Sequence, residues 1–479
     1  MTDFYDATAL AELVRTGQVS AAELVDEAIA RIEATHDDIH AVIHPRFEAA
    51  RSEAQTPLPG PLSGVPFLIK DLGAWQAGEP NHAGTRFLRD LDNRPAHDWV
   101  MTQRLRDSGL IFIGRTNTPE FGLISTTEPG SHGRTRNPWN TEHSSGGSSG
   151  GSASAVAAGV VPAAHASDGG GSIRIPASEC GLVGLKPSRG RITRAPATGD
   201  ITQFVSVHGF VSHSVRDTAL LLDIASGSAP GDMFAAPALR GPLVDEVGRE
   251  PAPLRVGLLT HVPSGTADVD PACVAATERA ASLLGELGHH VEPAFPPAMG
   301  DPEVSGHFLT MWSASVALQL DSLERETGTA VTEDDVEPGT WALAQGARGL
   351  PGTTMLRALQ FMEQYTRRML SWWASGYDIL LTPTLAQLPP KIGEFDSTPG
   401  NPIAGILRSS QLVPFTPPFN VTGQPAVSLP LAMHDGLPVG VQFVADYGRE
   451  DLLISLAAQL ERAAPWADRR PKVWAPDRA

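Results

Sequence analysis

Two clusters of glycine and serine carry the groups that could do chemistry in this chain. They are GGSSGGS at 146–152 and DGGGS at 168–172. Glycine lets the backbone adopt positive φ and approach other groups closely, so such clusters place amide N–H groups and hydroxyls where larger residues would obstruct. A serine hydroxyl beside a row of backbone N–H groups is the arrangement of a nucleophile with an oxyanion hole.

Two other interpretations of these clusters fit the sequence less well. Gly/Ser tracts are usually flexible linkers, but a helical run at 153–158 follows the first cluster, and an apolar strand is predicted at 160–164 before the second. A phosphate-binding loop needs the spacing G-x-x-x-x-G-K-[ST], which GLVGLK at 181–186 does not supply. The clusters therefore favour a serine nucleophile.

A serine nucleophile needs a base, and Lys70 is a candidate. It lies near the end of the apolar run PLSGVPFLIKD at 61–71. A lysine in this position often extends to solvent, but apolar neighbours would lower its pKa by burial. An unshifted pKa near 10.4 leaves a neutral fraction of about 4 × 10⁻⁴ at pH 7, so a lysine base must be desolvated. His143 and His165 are rival bases, although His165 lies in an apolar strand, where a hydrogen-bonded core histidine is more common.

Composition excludes several classes of function. The chain has 41% hydrophobic and 19% charged residues, as in ordinary globular proteins. Its net charge of −18 argues against a nucleic-acid partner. Cys180 and Cys273 form no C-x-x-C pair, which indicates a reducing compartment. Since the N-terminus has no signal-peptide pattern and no run of eighteen apolar residues occurs, we expect a cytoplasmic protein without a membrane partner.

Helices and short apolar strands alternate along most of the chain. Ser20 and Glu23 have capping-box spacing before an amphipathic helix at 20–35. Further helices are predicted at 98–108, 214–226, 271–287 and 449–462, strands at 254–262 and 377–385, and a hairpin within 419–448 that turns at 434–436.

Four regions receive individual predictions. Residues 117–143 form a loop that is one wall of the pocket, and 385–418 form a mobile or ligand-shaping loop. The helical region at about 300–375 contains Trp312, Trp341, Trp372 and Trp373, which are predicted to lie in the core. His289 and His290 have no third ligand nearby and are predicted to be surface or hinge residues rather than a metal site.

The chain resembles the amidase signature family over nearly its whole length. The matching motifs are GVPFLIKD, GRTNTPEFG, TRNPWN, GGSSGGSASAVAAG, SDGGGSIRIPASECGLVGLKPSRGRI, ILLTPT and FNVTGQPAVSLP. The resemblance implies an α/β fold, with a single large mixed β-sheet flanked by helices in one domain spanning 1–479. The core signature would occupy 61–195, and the helical region at about 300–375 would be a pocket-shaping insertion. We expect no cofactor and no metal.

The resemblance also assigns roles to individual residues. Ser172 would be the nucleophile, Ser148 a bridging serine on a cis peptide bond, and Lys70 the base. Ser172 would be acylated, the amine would leave with the relayed proton, and water would release the acid. The supporting assignments are the backbone amides of Gly169, Gly170, Gly171 and Ser172 as oxyanion hole, Gly122, Leu123 and Ser148 as substrate-binding residues, and Asp168 and Arg174 as a structural charge pair.

The chain departs from the usual family pattern at two positions. Gly169 replaces a larger residue beside the oxyanion hole, which should alter the fit of the acyl group more than the chemistry. Ser145 replaces a proline that often precedes GGSSGG, which affects only local rigidity.

Stretches outside the signature resemble the 6-aminohexanoate cyclic dimer hydrolase branch of the family. They lie at 214–232, 254–263, 332–338 and 448–466. This implies a small-molecule partner, namely a small aliphatic or cyclic amide related to nylon oligomers; a homodimer is one expectation for the assembly. The alternatives are a broad-specificity aryl or aliphatic amidase and a carbamate hydrolase.

Two further alternatives are disfavoured by particular residues. The amidase subunit of a glutamine amidotransferase uses an acid to hold the amino group of glutamine, and residues 408–420 contain none. A non-catalytic binding module would be expected to lose Lys70, Ser148 or Ser172, and all three are present.

Overall fold

The computed structural model describes residues 5–197, 200, 203–398 and 400–479. The strands in this part of the chain are β1 Val42–Pro45, β2 Pro66–Lys70, β3 Ile111–Thr116, β4 Arg136–Asn137, β5 Asn140–Ser144, β6 Ala163–Asp168, β7 Val183–Lys186, β8 Val207–Ser212, β9 Arg255–Leu258, β10 His290–Pro293, β11 Ile379–Pro383, β12 Ala426–His434 and β13 Leu437–Ala445.

One large mixed sheet organises these strands, as predicted. Among the described residues it has eleven strands in the order β1-β3-β2-β6-β8-β7-β12-β13-β11-β9-β10, while β4 and β5 pair separately. The strands β3, β2 and β6 run parallel, whereas β8 is antiparallel to β6. Parallel neighbours end at the same edge of the sheet, so the ends of β2 and β6 bring their last residues together.

Helices cover the sheet. They are α1 Ala7–Arg15, α2 Ala21–Ile39, α3 Phe47–Ala54, α4 Arg86–Asp90, α5 Val100–Asp107, α6 Gly150–Ala157, α7 Arg174–Cys180, α8 Val215–Ala225, α9 Pro271–Glu286, α10 Val304–Thr327, α11 Pro338–Arg348, α12 Gly352–Ala374, α13 Ala404–Leu412, α14 Pro417–Thr422 and α15 Glu450–Ala463. In the described ranges, none of the helices combines the length and apolar character needed to span a bilayer.

Strand β2 shows why the sheet is covered on both faces. Successive side chains of a strand point to opposite faces. Phe67 and Ile69 belong to the hydrophobic cluster that contains residues of α1, α8 and α15, whereas Leu68 belongs to the cluster that contains residues of α2 and α6. Both faces of β2 are therefore buried, as its continuous apolar sequence predicts.

Several local predictions are confirmed. In the capping box of α2, the Glu23 N–H donates to Ser20 Oγ at 3.2 Å and the Ser20 N–H donates to Glu23 Oε2 at 2.8 Å. The hairpin of β12 and β13 turns through Asp435 and Gly436 with φ of 49° and 78°. Two consecutive positive φ values match the twist of the flanking strands, which is why an Asp-Gly pair occurs there.

Other predictions are wrong in detail. The strand expected at 160–164 is β6, which starts later and runs directly into the second Gly/Ser cluster. The region 385–418, predicted as a loop, contains α13. His289, predicted as a surface or hinge residue, is buried: its Nδ1 accepts the Leu254 N–H at 3.1 Å and its Nε2 lies 2.8 Å from Gln459 Oε1. Long-range contacts decide these cases, and sequence periodicity does not reveal them.

Candidate active site

Lys70 ends β2 inside a ring of three hydroxyl groups. Its side chain is fully buried, and Nζ donates to Ser148 Oγ at 2.6 Å, Ser149 Oγ at 3.0 Å and Ser167 Oγ at 3.0 Å. Ser148 and Ser149 come from the first Gly/Ser cluster, and Ser167 lies near the end of β6. The parallel ends of β2 and β6 thus place the amine beside both clusters.

Burial changes the charge of this amine. Desolvation lowers the pKa of Lys70 from 10.5 to about 7, although the negative charge of Asp168 opposes the shift. The charged form is disfavoured because the low-dielectric interior solvates an ammonium poorly. A large fraction of Lys70 is therefore neutral near pH 7, and its lone pair can accept a proton from a hydroxyl.

Close backbone packing shapes the first cluster. The Gly147–Ser148 peptide bond is cis, as the family resemblance implies. A Cβ on Gly147 would lie 2.4 Å from the Thr126 carbonyl oxygen, so only glycine fits there. A Cβ on Gly122 would lie 2.9 Å from Ser148 Oγ, which places Gly122 directly against the Ser148 hydroxyl.

A buried ion pair organises the second cluster. Asp168 and Arg174 are both fully buried, and the guanidinium donates to the carboxylate through Nε at 3.0 Å and Nη2 at 2.9 Å. Burial would raise the pKa of Asp168, but the charge and hydrogen bonds of Arg174, the charge of Lys186 and the hydrogen bond from Asn420 together outweigh it and hold the pKa at about 2. Arg174 also donates to Asn420 Oδ1 and Gln442 Oε1, so it ties the loop at 169–172 to β13 and α14.

The loop at 169–172 offers fewer free amides than the sequence predicts. The Gly171 N–H donates to Asp168 Oδ1 at 2.7 Å, so it is engaged inside the loop and does not continue the predicted row of oxyanion donors. Across the described ranges, the N–H groups of Gly169, Gly170 and Ser172 have no hydrogen-bond partner. Gly171 has φ of 135°, and a Cβ there would lie 2.4 Å from Thr416 Oγ1, so glycine is required at this position.

Ser172 is the last residue of this loop and precedes α7. It is 8% exposed, and its hydroxyl is not among the three that accept from Lys70. Any proton transfer from Ser172 to Lys70 must therefore pass through another group. Ser148, which accepts the shortest of the Lys70 hydrogen bonds, has a hydroxyl that can both donate and accept.

The two histidines considered as rival bases are engaged elsewhere. His143 Nδ1 lies 2.7 Å from the Pro389 carbonyl oxygen. His165 Nδ1 accepts the backbone N–H of Lys70 at 3.3 Å, and its Nε2 lies 3.1 Å from His208 Nδ1. Burial, and then the Lys70 charge, keep the pKa of His165 well below 6.5. Neither ring hydrogen-bonds to a serine hydroxyl of the two clusters in the described structure.

A cavity of about 450 Å³ lies beside Ser167, one of the hydroxyls that accept from Lys70. Leu123 and Ser167 line it, and the N-terminal half of α10 supplies Phe308 and Trp312. A Cβ on Gly169 would lie 2.9 Å from the Trp312 ring, so the indole occupies the space next to the loop. Trp312, predicted in the core, is therefore a half-buried cavity residue. Phe121, from the 117–143 loop predicted as one wall of the pocket, also lines the cavity, together with Trp75, Trp99 and Phe204, which sequence analysis did not assign to the site.

Three more histidines, which sequence analysis also missed, lie near the site. His44, His82 and His132 come together beside Asp71, the residue that follows Lys70. They are far apart in the chain and follow no ligand-spacing motif, so the sequence carries no signal for them.

Comparison with known proteins identifies the class. The amidase family model matches residues 23–454, and the chain belongs to that family. It is therefore an amidase, a hydrolase that acts on amide C–N bonds.

Particular relatives resemble the chain over nearly its full length. The 6-aminohexanoate-cyclic-dimer hydrolase of Paenarthrobacter ureafaciens is 44% identical over 99% of this chain and 97% of its own. A solved structure of 6-aminohexanoate cyclic dimer hydrolase complexed with substrate matches with a TM-score of 0.95 and 44% identity, covering 98% of this chain and 99% of that one. A bacterial aryl acylamidase of the amidase signature family matches at 27% identity with a TM-score of 0.86, covering 99% and 98%.

Proposed function

We propose that this amidase hydrolyses small aliphatic or cyclic amides of the 6-aminohexanoate cyclic dimer type, through an acyl-enzyme on Ser172. The observation that carries the catalytic part is the buried Lys70 amine, whose pKa is about 7 and which lies 2.6 Å from Ser148 Oγ. A largely neutral amine beside a hydroxyl relay can activate a second hydroxyl.

Acylation follows from this arrangement. Ser172 Oγ attacks the carbonyl carbon while its proton passes to Ser148, and the Ser148 proton passes to Lys70 Nζ. The developing oxyanion accepts hydrogen bonds from the free N–H groups of the 169–172 loop, namely those of Gly169, Gly170 and Ser172. The C–N bond then breaks, and the proton returns from Lys70 through Ser148 to the leaving nitrogen.

Deacylation uses the same groups. Water attacks the ester carbonyl and gives its proton through Ser148 to Lys70. The ester C–O bond breaks, Ser172 regains a proton by the same route, and the carboxylic acid leaves. No further side chain has to change its protonation state.

The cavity supports an uncharged, mainly apolar substrate. Its lining is rich in aromatic and aliphatic side chains, and within the described residues the charged members are Arg194 and Glu326. A cyclic amide has no charged end and buries methylene groups, which matches such a lining. Two relatives named 6-aminohexanoate-cyclic-dimer hydrolase, each 44% identical to this chain, support the same substrate class.

We propose that Gly169 and Trp312 set the fit of the acyl group. A Cβ at position 169 would lie 2.9 Å from the indole. Because glycine has no side chain, the Trp312 ring can lie close to the free amides of the 169–172 loop. Gly122 and Leu123, on the side of Ser148, would border the acyl group from the opposite wall.

A substrate panel tests this proposal. Purified chain is incubated with 6-aminohexanoate cyclic dimer, a linear aliphatic amide, an anilide, a carbamate and glutamine. We expect the highest kcat/KM for the cyclic dimer. Turnover of the anilide alone would reject the substrate assignment and keep the catalytic one.

Ser172→Ala tests the nucleophile separately. We expect kcat to fall by at least about 10³-fold, because no acyl-enzyme can form, while the thermal unfolding midpoint stays near that of the unmutated chain. Undiminished turnover in a folded variant would dismiss Ser172.

We also propose a cytoplasmic location. Cys180 and Cys273 are both free and buried, as expected for a protein of a reducing compartment. Cell fractionation with an antibody against the chain would test it, and recovery from the culture medium would contradict it.

A further inference from the structure

Three histidines from separate segments meet at the edge of the main sheet. His44 is on β1, His82 precedes α4, and His132 precedes β4. One ring nitrogen of each lies within 4.8 Å of those of the other two. The ring centroid of His44 lies 4.4 Å from that of His82 and 5.0 Å from that of His132. The rings of His82 and His132 are stacked, with their centroids 5.6 Å apart. We call these residues the histidine cluster.

Four ring nitrogens of the histidine cluster are buried without a hydrogen-bond partner among the described residues. His82 is 5% exposed, and neither its Nδ1 nor its Nε2 has a hydrogen-bond partner among the described residues. The same holds for Nε2 of His44 and of His132. Buried polar atoms nearly always have a partner, so four unpartnered nitrogens in one small volume need a chemical explanation.

Carboxylates border the histidine cluster. Asp71 is fully buried, and its Oδ2 lies 3.7 Å from His44 Nε2. Both of its oxygens accept the backbone N–H of His82, at 3.1 and 3.2 Å. Asp92 Oδ1 lies 4.0 Å from His82 Nε2. Two carboxylates therefore lie within 4.0 Å of unpartnered nitrogens of the histidine cluster.

We propose that His44, His82 and His132 bind one Zn²⁺, and that the Asp71 carboxylate, whose Oδ2 lies 3.7 Å from His44 Nε2, would shift to supply the fourth ligand. Zn²⁺ favours four ligands in tetrahedral geometry and takes imidazole nitrogen and carboxylate oxygen. Zn–N bonds of about 2.0–2.1 Å place the ligand nitrogens roughly 3.3 Å apart. The ligand nitrogens now lie within 4.8 Å of one another, so rotation of the rings about their side-chain torsions would be needed to reach that spacing.

The bound ion would connect three segments of the chain. It would tie the edge strand β1 to the segment that follows Lys70 and to the segment that precedes β4. Lys70 and Asp71 are neighbours in sequence, so the ion would stabilise the strand end that carries the lysine without touching the reacting serines. The role is structural, and it is independent of the proposed substrate.

Metal binding by the full chain without an affinity tag is the test. The chain is treated with a chelator, desalted, and titrated with Zn²⁺ in competition with a chromophoric chelator. We expect one Zn²⁺ per chain and a higher thermal unfolding midpoint on binding. His82→Gln should weaken binding by at least about 100-fold.

His143→Gln is the matched control, because His143 is half-buried and its ring lies against the Pro389 carbonyl. It should bind Zn²⁺ like the unmutated chain. If His82→Gln does not fold, His44→Gln at a half-buried position carries the same test. Less than one Zn²⁺ per chain, or equal affinity in the cluster variant and the control, would overturn the site.

Discussion

Two strands of the main sheet end on a buried lysine, and the surroundings of the two amines differ. Lys70 ends β2 and Lys186 ends β7, and both side chains are fully buried. Desolvation lowers the pKa of each, with the positive charge of Arg174 acting further on Lys186. Lys70 Nζ donates to three hydroxyls, whereas Lys186 Nζ donates to the Pro187 carbonyl oxygen at 2.9 Å.

The difference shows that burial by itself does not make a lysine a base. A carbonyl oxygen accepts a hydrogen bond but has no proton to give, so Lys186 has nothing to deprotonate there. A hydroxyl can give and accept a proton, so Lys70 is connected to a path for protons. We therefore expect the two lysines to respond differently to the same substitution.

The largest contrast should come from Lys70→Met and Lys186→Met. Each removes the amine and keeps a long apolar side chain in the interior. We expect Lys70→Met to lower kcat/KM by at least about 10³-fold, because the proton acceptor is lost. Lys186→Met should stay within about tenfold of the unmutated chain. Equal losses in two folded variants, measured with the substrate panel, would remove the distinction.

Ser148→Ala tests the path rather than the base. Losing the hydroxyl closest to Lys70 should lower kcat by about 10²–10³-fold with little change in KM, because proton transfer is interrupted while binding groups remain. Ser152→Ala is the control, since Ser152 Oγ donates to the His165 carbonyl oxygen and does not contact Lys70. A milder effect at Ser148 than at Ser152 would contradict a relay.

Asp168→Asn affects both lysines at once. The Asp168 charge raises the pKa of each amine, so its loss should lower both pKa values.

The same substitution should also lower stability. Arg174 would lose its carboxylate partner in a fully buried place, which typically costs about 3–5 kcal/mol of unfolding free energy. The exposed Glu363–Arg367 pair offers the control, and Glu363→Gln should cost less than about 0.5 kcal/mol. Urea denaturation measures both, and a small loss at Asp168 would contradict its bracing role.

The smallest expected effect is a shift of the pH profile. Since only neutral Lys70 can accept a proton, kcat/KM should rise with pH through about 7. Ser167→Ala removes one acceptor of the ammonium, which favours the neutral form and moves this rise to lower pH by less than about one unit. Ser206→Ala changes a cavity residue that does not contact Lys70 and should leave the profile in place. A rise of kcat/KM at higher pH in Ser167→Ala would contradict this prediction.

The same lysines show what sequence reasoning could reach. Lys70 stands out because an apolar strand leads into it and the Gly/Ser clusters need a base. Lys186 lies in a similar position, and only the neighbours of its amine in space distinguish it. The hydrogen bond from the Gly171 N–H to Asp168 was not foreseen for the same reason, because it depends on how the loop folds back.

The amino-acid sequence by itself predicted many of the helices and strands, the capping box of α2 and the Asp435–Gly436 turn, because these follow from local periodicity and from motifs of adjacent residues. The longer motifs indicated the family, and the family resemblance assigned roles to Lys70, Ser148 and Ser172, which stay predictions. Only the tertiary structure decided that Lys70 is dry and bonded to three hydroxyls, that Trp312 faces the cavity, and that His44, His82 and His132 meet. Those facts depend on which distant segments pack together, because burial and the neighbours of a side chain are properties of the folded chain.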